Sequence, residues 1–189
     1  MMRLLFACFD FFRDEEVCLS KEAYDILSKN KQAAARLLPV SWKKIDESVE
    51  ALMKEDFEAL VILGNGRGET HKIEKLAVNA QGTNILDNSG ARCQGDAISK
   101  DGKAAFFSTW NVEALNEEMQ KLGLPSQISY FSGLFLCNGA YYRALSHDCG
   151  KIERRSIVLL HLSPERNIAS DLPLILKALA SSLNRTILL

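Results

Sequence analysis

A cysteine within an apolar stretch is the first residue of this sequence that could carry out chemistry. Cys137 lies in the segment 132–142, where apolar residues at steps of three and four predict a helix with Ser132 or Gly133 as its cap. Near a helix start, the dipole and the unpaired N–H groups favour the thiolate, which is the nucleophilic form of the side chain. A buried cysteine that only packs against its neighbours is the alternative, and this stretch alone does not separate the two.

Three histidines could serve as the base that a cysteine nucleophile requires. His161 closes the apolar run 157–160, so we expect it where a buried strand leaves the sheet, the usual place for site residues in α/β proteins. A core histidine with satisfied hydrogen bonds would give the same pattern. His71 lies in a polar turn and His147 at a polar helix end, so we expect both of them to be solvated.

A carboxylate could orient the base. Glu74 interrupts the segment 73–79, whose alternation predicts a strand. In such a place a carboxylate is either turned to solvent or paired with another side chain. Pairing with His161 would complete a catalytic triad of Cys137, His161 and Glu74.

These residues lie on a chain in which predicted strands and helices alternate. Strands are predicted at 2–9, 59–63, 73–79, 127–131 and 156–162, with a short extended segment at 35–40; helices are predicted at 20–29, 41–54 (capped by Ser41), 112–122, behind Cys137, and at 172–183. The alternation predicts one domain over residues 1–189, a three-layer α/β/α sandwich around a twisted, largely parallel central sheet. Segment 81–102 lacks a regular pattern and is predicted to be a long loop.

The composition narrows the classes of protein. With 47% hydrophobic residues, 25% charged residues and a formal net charge of -1, the chain is typical of a globular protein and offers no basic surface for nucleic acid or an anionic membrane. The apolar stretch 4–12 is interrupted by Asp10 and is too short for a signal peptide or a membrane span. Five cysteines without a CxxC pair indicate reduced thiols and a cytoplasmic protein. No zinc ligand set is evident.

Several segments resemble the motifs of one peptidase family. Residues 132–138 (SGLFLCN) are similar to its A-G-T-F-V-C-N, residues 73–79 (IEKLAVN) to its I-E-R-V-A-I-N, residues 157–162 (IVLLHL) to its F-I-H-V-P segment, and residues 9–12 (FDFF) to its F-E/D-P-F. The family is pyroglutamyl-peptidase I, the pyrrolidone-carboxylate peptidases, and the resemblance extends over nearly the whole chain. It implies that Cys137 is the nucleophile, His161 the acid and base, and Glu74 the residue that orients the imidazole.

The resemblance also implies a reaction and a substrate. The expected protein is a cysteine exopeptidase that hydrolyses the peptide bond after an N-terminal pyroglutamate (5-oxoproline) through a thioester acyl-enzyme, without a metal or a cofactor. Its expected partner is a peptide with an N-terminal pyroglutamate, and self-association stays open. The residues predicted to bind the substrate are Phe9 and Phe12, which would flank the lactam ring, together with Asn65, Asn84 and Leu134. Core packing of the first strand would equally account for Phe9.

Departures from the family pattern lie around the predicted pocket. Asn84 stands where the family generally has an arginine, Leu134 replaces a threonine, and the turn 64–68 is shorter. These changes leave open a weak or inactive homologue that binds blocked peptide N-termini. A nucleotide-binding domain that uses the turn 64–68 for phosphate is a second alternative, although the turn lacks the Lys-Ser/Thr pair of a P-loop.

Overall fold

The computed structural model describes residues 3–13, 15–29, 34–82, 84–93, 95 and 97–186. The strands are β1 (Leu4–Phe9), β2 (Ala34–Leu38), β3 (Ala59–Asn65), β4 (His71–Glu74), β5 (Leu76–Val78), β6 (Ala105–Phe107), β7 (Ser126–Ser129) and β8 (Ser156–Leu162). The helices are α1 (Leu19–Ser28), α2 (Ile45–Met53), α3 (Val112–Lys121), α4 (Leu136–His147) and α5 (Ile168–Thr186). No helix in these described ranges is long and apolar enough to cross a membrane.

Six of the strands form the central sheet, in the order β2-β1-β3-β8-β4-β7. Neighbouring strands run parallel, except that β4 is antiparallel to β8. The apolar strands β1, β3 and β8 occupy the middle of the sheet and are buried along almost their whole length, as expected for strands covered on both faces. The prediction of a largely parallel sheet is therefore confirmed.

Helices cover both faces of this sheet. Successive side chains of a strand point to opposite faces, so β3 sends Val61 into one core and Ile62 into the other. The first core packs against α1, α3 and α5, whereas the second packs against α2 and α4. This arrangement confirms the three-layer α/β/α sandwich.

The segment 73–79 is two strands rather than the one that its alternation predicts. β4 ends at Glu74, and β5 begins at Leu76 in a separate antiparallel sheet with β6. Between them, the N–H of Lys75 donates to Ser129 O of β7 at 2.7 Å, and its carbonyl accepts from Ser108 N at 2.9 Å. The chain passes from one sheet to the other at this residue, because its two backbone groups bond in different directions.

Three helices begin at other residues than the pattern predicts. Ser41 does not cap α2, since its carbonyl accepts the N–H groups of Lys44 and Ile45 in a turn before the helix. Ser132 and Gly133 do not cap α4, because the residue before its first turn is the extended Phe135. Helix α5 begins at Ile168 instead of residue 172. Met2, the predicted start of the first strand, lies outside the described residues.

Candidate active site

Strands β8 and β4 and helix α4 bring the three predicted catalytic residues together. His161 Nδ1 lies 2.8 Å from Glu74 Oε1. On the other side of the imidazole, Cys137 Sγ and His161 Nε2 both face Gly64 of β3. A Cβ atom added to Gly64 would lie 2.8 Å from Sγ and 3.4 Å from Nε2. The histidine therefore stands between the carboxylate and the sulfur, which is the order that a catalytic triad requires.

The surroundings of His161 favour its protonated form. Burial by itself lowers the pKa of His161, but hydrogen bonding to Cys137 and to Glu74 outweighs that effect and raises the pKa to about 10. The ring is therefore an imidazolium near neutral pH. An imidazolium next to the sulfur can give its proton to a group that leaves an attacked carbonyl.

Glu74 is fixed by both its side chain and its backbone. Its side chain is 1% exposed, and its carbonyl accepts a hydrogen bond from the hydroxyl of Tyr141 at 2.9 Å. Tyr141 belongs to α4, so the helix that carries Cys137 also holds the strand that carries Glu74. Among the described residues, Glu74 Oε2 has no hydrogen-bond partner. The carboxylate thus contacts His161 through Oε1.

Gly64 and Asn65 belong to β3, so the predicted turn at 64–68 starts inside a strand. A side chain at position 64 would occupy the space between the sulfur and the imidazole. Residues 66–70 then lead directly into β4 instead of a helix, unlike the phosphate turn of a P-loop. The glycine therefore serves the close approach of Cys137 and His161.

The start of α4 adds hydrogen-bond donors to the site. Cys137 is the second residue of the helix, and the N–H groups of a first helical turn have no acceptor within the helix. Free N–H groups beside an attacking sulfur can stabilise the oxyanion that forms on the attacked carbonyl.

The residue after the cysteine holds this helix start in place. Asn138 is fully buried; its Oδ1 accepts from Val78 N and from Ser132 Oγ, both at 3.0 Å. Its Nδ2 donates to the carbonyls of Val78 and Ala80, both at 2.9 Å. The sequence reading missed this role, although a polar residue directly after Cys137 in an apolar segment was a usable signal.

A cleft of about 470 Å³ opens beside the triad. Of the predicted substrate-binding residues, Phe9, Phe12, Asn65 and Leu134 line it. Asn84 is exposed in the long loop and is not among the lining residues, so its role stays a prediction. The ring of Phe12 packs edge-on against Phe135 at 5.5 Å between centroids, which gives the cleft an aromatic wall.

Part of the long loop 81–102 supports this wall. The N–H of Arg13 donates to Asn88 Oδ1 at 2.8 Å, and Asn88 Nδ2 donates to the carbonyl of Phe11 at 2.7 Å. These bonds hold Arg13 at a φ of 52°, which a non-glycine residue seldom adopts. The buried Asp87 accepts from Trp42 N at 2.7 Å and so ties the loop to the segment after β2. The sequence alone assigned neither Arg13 nor Asp87 a role in supporting the cleft.

The other two histidines differ from each other. His147 is exposed, as predicted. The prediction for His71 is wrong: it is fully buried as the first residue of β4. Its Nδ1 accepts from Ser163 N at 3.2 Å, and its Nε2 lies 3.1 Å from Asp171 Oδ2. Asp171 follows a hundred positions later in α5, so no local pattern could reveal the pair.

Comparisons with known proteins all find relatives of one peptidase family. A family model described as pyroglutamyl peptidase matches residues 2–171. A pyrrolidone-carboxylate peptidase of Cupriavidus taiwanensis is 31% identical over 177 residues, which cover 88% of this chain and 81% of that protein. One from Pyrococcus furiosus is 31% identical over 157 residues, covering 79% of this chain and 75% of its own length.

A solved structure of a similarly named protein shares the fold of this chain. A mutant pyrrolidone carboxyl peptidase from Pyrococcus furiosus superposes with a TM-score of 0.89 at 25% sequence identity, and the match covers 98% of this chain and 100% of that one. The family model spans most of the sequence, and the matched segment contains the cysteine, the histidine and the glutamate of the site. This chain belongs to the pyroglutamyl peptidase family.

Proposed function

We propose that this chain is a cysteine-type omega peptidase that hydrolyses the peptide bond after an N-terminal pyroglutamate. The observation that supports it most is the order Glu74, His161, Cys137 along a cleft with an aromatic wall. The relatives carry the name of the same activity. A complete triad also disfavours the alternative of an inactive homologue.

The cleft suits the acyl half of such a substrate. The lactam of pyroglutamate is flat and uncharged, so apolar walls with a few hydrogen-bond partners are enough to bind it. Phe9 and Phe12 line one end of the cleft, and the edge-on contact with Phe135 holds the ring of Phe12 in place. In this pose the carbonyl of the scissile bond faces Cys137.

The triad then performs acyl transfer in two steps. The Cys137 thiolate attacks the carbonyl carbon, and the N–H groups at the start of α4 stabilise the oxyanion. The His161 imidazolium gives its proton to the departing amine as the C–N bond breaks, leaving a thioester. Neutral His161 next takes a proton from water, the resulting hydroxide attacks the thioester, and the thiolate, the imidazolium and the free acid are restored.

The first test uses a fluorogenic pyroglutamyl amide beside the matching prolyl amide, which has the ring but lacks the lactam carbonyl. Wild-type protein should hydrolyse the pyroglutamyl compound and not the prolyl one. Cys137→Ala should abolish turnover, whereas Cys149→Ala, away from the cleft, should retain it. Binding without turnover in the wild type, or turnover that survives in Cys137→Ala, would overturn the proposal.

The histidines give a second, matched test of the same proposal. His161→Ala should lower kcat about a hundredfold to ten-thousandfold, because each step moves a proton through this ring. His147→Ala removes an exposed imidazole at the other end of α4 and should leave kcat within a few fold. A fully active His161→Ala protein would exclude the triad mechanism.

A further inference from the structure

Two cationic side chains line the cleft without a partner. Lys72 and Arg67 both belong to the lining, and among the described residues neither side chain forms a hydrogen bond or an ion pair. The next lysine along the chain, Lys75, is by contrast paired with Glu113. A half-buried ammonium that faces a binding cleft without a counter-ion is a candidate for contact with a charged ligand.

The register of the sheet shows which part of the cleft Lys72 faces. In the antiparallel pair of β4 and β8, Lys72 lies directly opposite His161, so their Cα atoms are about 5 Å apart. Lys72 and Glu74 are two residues apart on β4 and therefore point to the same face of the sheet. Lys72 thus stands next to His161, on the side away from β3 and Cys137.

The proposed reaction determines in which direction the substrate lies along the cleft. Phe9 ends β1, Gly64 below the sulfur lies on β3, and His161 lies on β8, which is the order of these strands in the sheet. The lactam ring lies at the β1 end in the proposed function. The leaving nitrogen must face His161, which protonates it. The residue that follows the scissile bond therefore extends toward β4 and Lys72.

The charges of the cleft are separated in the same direction. Asp10, directly after β1, and Glu15, which accepts from Asn65 Nδ2 at 3.4 Å, line the acyl end. Lys72 lies three strands away from β1, or about 14 Å. Asp10 and Glu15 thus lie at the end that receives an uncharged ring. Lys72 lies at the end that receives the leaving peptide, where the buried carboxylate of Glu74 contacts His161.

Resting on the proposed function, we propose that Lys72 binds a carboxylate of the leaving residue, so that this enzyme prefers pyroglutamyl substrates with an acidic group directly after the scissile bond. Two sources share this chemistry: an acidic side chain on the second residue, or the free α-carboxylate of a pyroglutamyl dipeptide. Lys72 is a specificity residue in this assignment and takes no part in proton transfer.

The test compares kcat/KM for four substrates at low salt, with the released amino group as the readout. Pyroglutamyl-glutamate amide and pyroglutamyl-glutamine amide differ in one side-chain charge, pyroglutamyl-glutamine has a free α-carboxylate, and pyroglutamyl-lysine amide has a cation. Wild-type protein should prefer each carboxylate over the neutral amide about twofold to fivefold, as expected for a partly exposed ion pair. The two anionic substrates show which source is preferred.

Variants assign the preference to Lys72. Lys72→Met should bring the ratio to about one, Lys72→Arg should keep it, and Lys72→Glu should favour the lysine substrate. Lys121→Met on α3, outside the cleft, should match the wild type. The wild-type preference should also shrink as salt is added, which needs no variant to fold.

The outcomes separate the two proposals. A wild-type ratio of one at low salt, or a preference that persists in folded Lys72→Met, would overturn the assignment of Lys72 and leave the proposed function intact. If none of the four substrates released an amine, the proposed function itself would be overturned.

Discussion

At the scale of single residues, the charge of His161 determines how the enzyme should respond to pH. Its contacts with Cys137 and Glu74 outweigh its burial and raise its pKa to about 10. Since the leaving amine needs a proton from this ring, kcat/KM should fall on the alkaline side with an apparent pKa near that of the free enzyme's imidazolium. A profile of kcat/KM against pH tests this expectation.

Glu74→Gln should move that alkaline limb to lower pH. The carboxylate raises the pKa of His161, so removing its charge lowers that pKa. The same change should reduce kcat about tenfold to a thousandfold, or about 1.4 to 4 kcal/mol, since the amide holds the imidazole less well. The unfolding midpoint is the control, because an amide nitrogen at the buried Oε2 position would lack a partner. An unmoved limb with unchanged turnover would refute the role given to Glu74.

The cysteines should differ in their reaction with a limiting amount of iodoacetamide near neutral pH. Burial raises the pKa of Cys8 to about 12 and also raises the pKa of Cys18, so both remain thiols. Cys137 is partly exposed, is the second residue of α4 and faces His161, which are the surroundings typical of reactive cysteines. Peptide mapping should find Cys137 labelled first. Even labelling of all cysteines in the folded protein would contradict a tuned site.

At the scale of elements, Gly64 of β3 makes room for the catalytic pair. In Gly64→Ala the new methyl group would meet Cys137 Sγ at 2.8 Å, so the flexible sulfur should move and turnover should fall at least tenfold. The fold should tolerate the change, because the atom displaced belongs to a side chain.

Gly123→Ala is the matched contrast. This glycine has a φ of +79° and open space around it, so alanine should cost about 1 kcal/mol of stability and leave kcat unchanged. Normal kcat in Gly64→Ala would show that β3 does not set the distance between sulfur and imidazole.

Some of these elements and site residues can be predicted from the sequence, and others cannot. Strands β1, β3 and β8 were predicted because continuous apolar runs leave few alternatives to burial in a parallel sheet. The break at Lys75 was missed because the alternation continues through it, while the partner strands lie far away in the chain. His161 was identified because it ends such a run and resembles a family motif. The buried pair of His71 and Asp171 depends on a contact across a hundred residues, which no local pattern records.

At the scale of the whole molecule, the buried pair of His71 and Asp171 should make the free energy of unfolding decrease at acidic pH. Burial lowers the pKa of His71 despite the opposing effect of Asp171, so the folded state binds fewer protons than the unfolded state below the ordinary histidine pKa of about 6.5. The contribution of the neutral His71 ring to the free energy of unfolding is therefore fully present above that pH. It should be lost as the pH falls toward the folded-state pKa, by at most about 1.4 kcal/mol per pH unit.

His71→Gln removes the titrating ring, so its free energy of unfolding should decline less between about pH 7 and about pH 5. The carboxylate of Asp171, whose own pKa is lowered by Arg166 and His71 against its burial, stays charged in this window. Denaturant titrations at both pH values measure the difference. Parallel declines in the wild type and the variant would assign the acid sensitivity to other groups.

The position of β8 in the sheet also determines when an active enzyme can exist. Strands β3 and β4 follow each other in sequence, yet β8 lies between them and is translated after both. A growing chain already carries the nucleophile and the glutamate while the ribosome has not yet added residue 161. The late strand must pair with both neighbours before the triad is complete. A chain that ends before residue 161 therefore has no complete triad and should have no peptidase activity. Activity should appear only after β8 has been synthesised and has paired with β3 and β4.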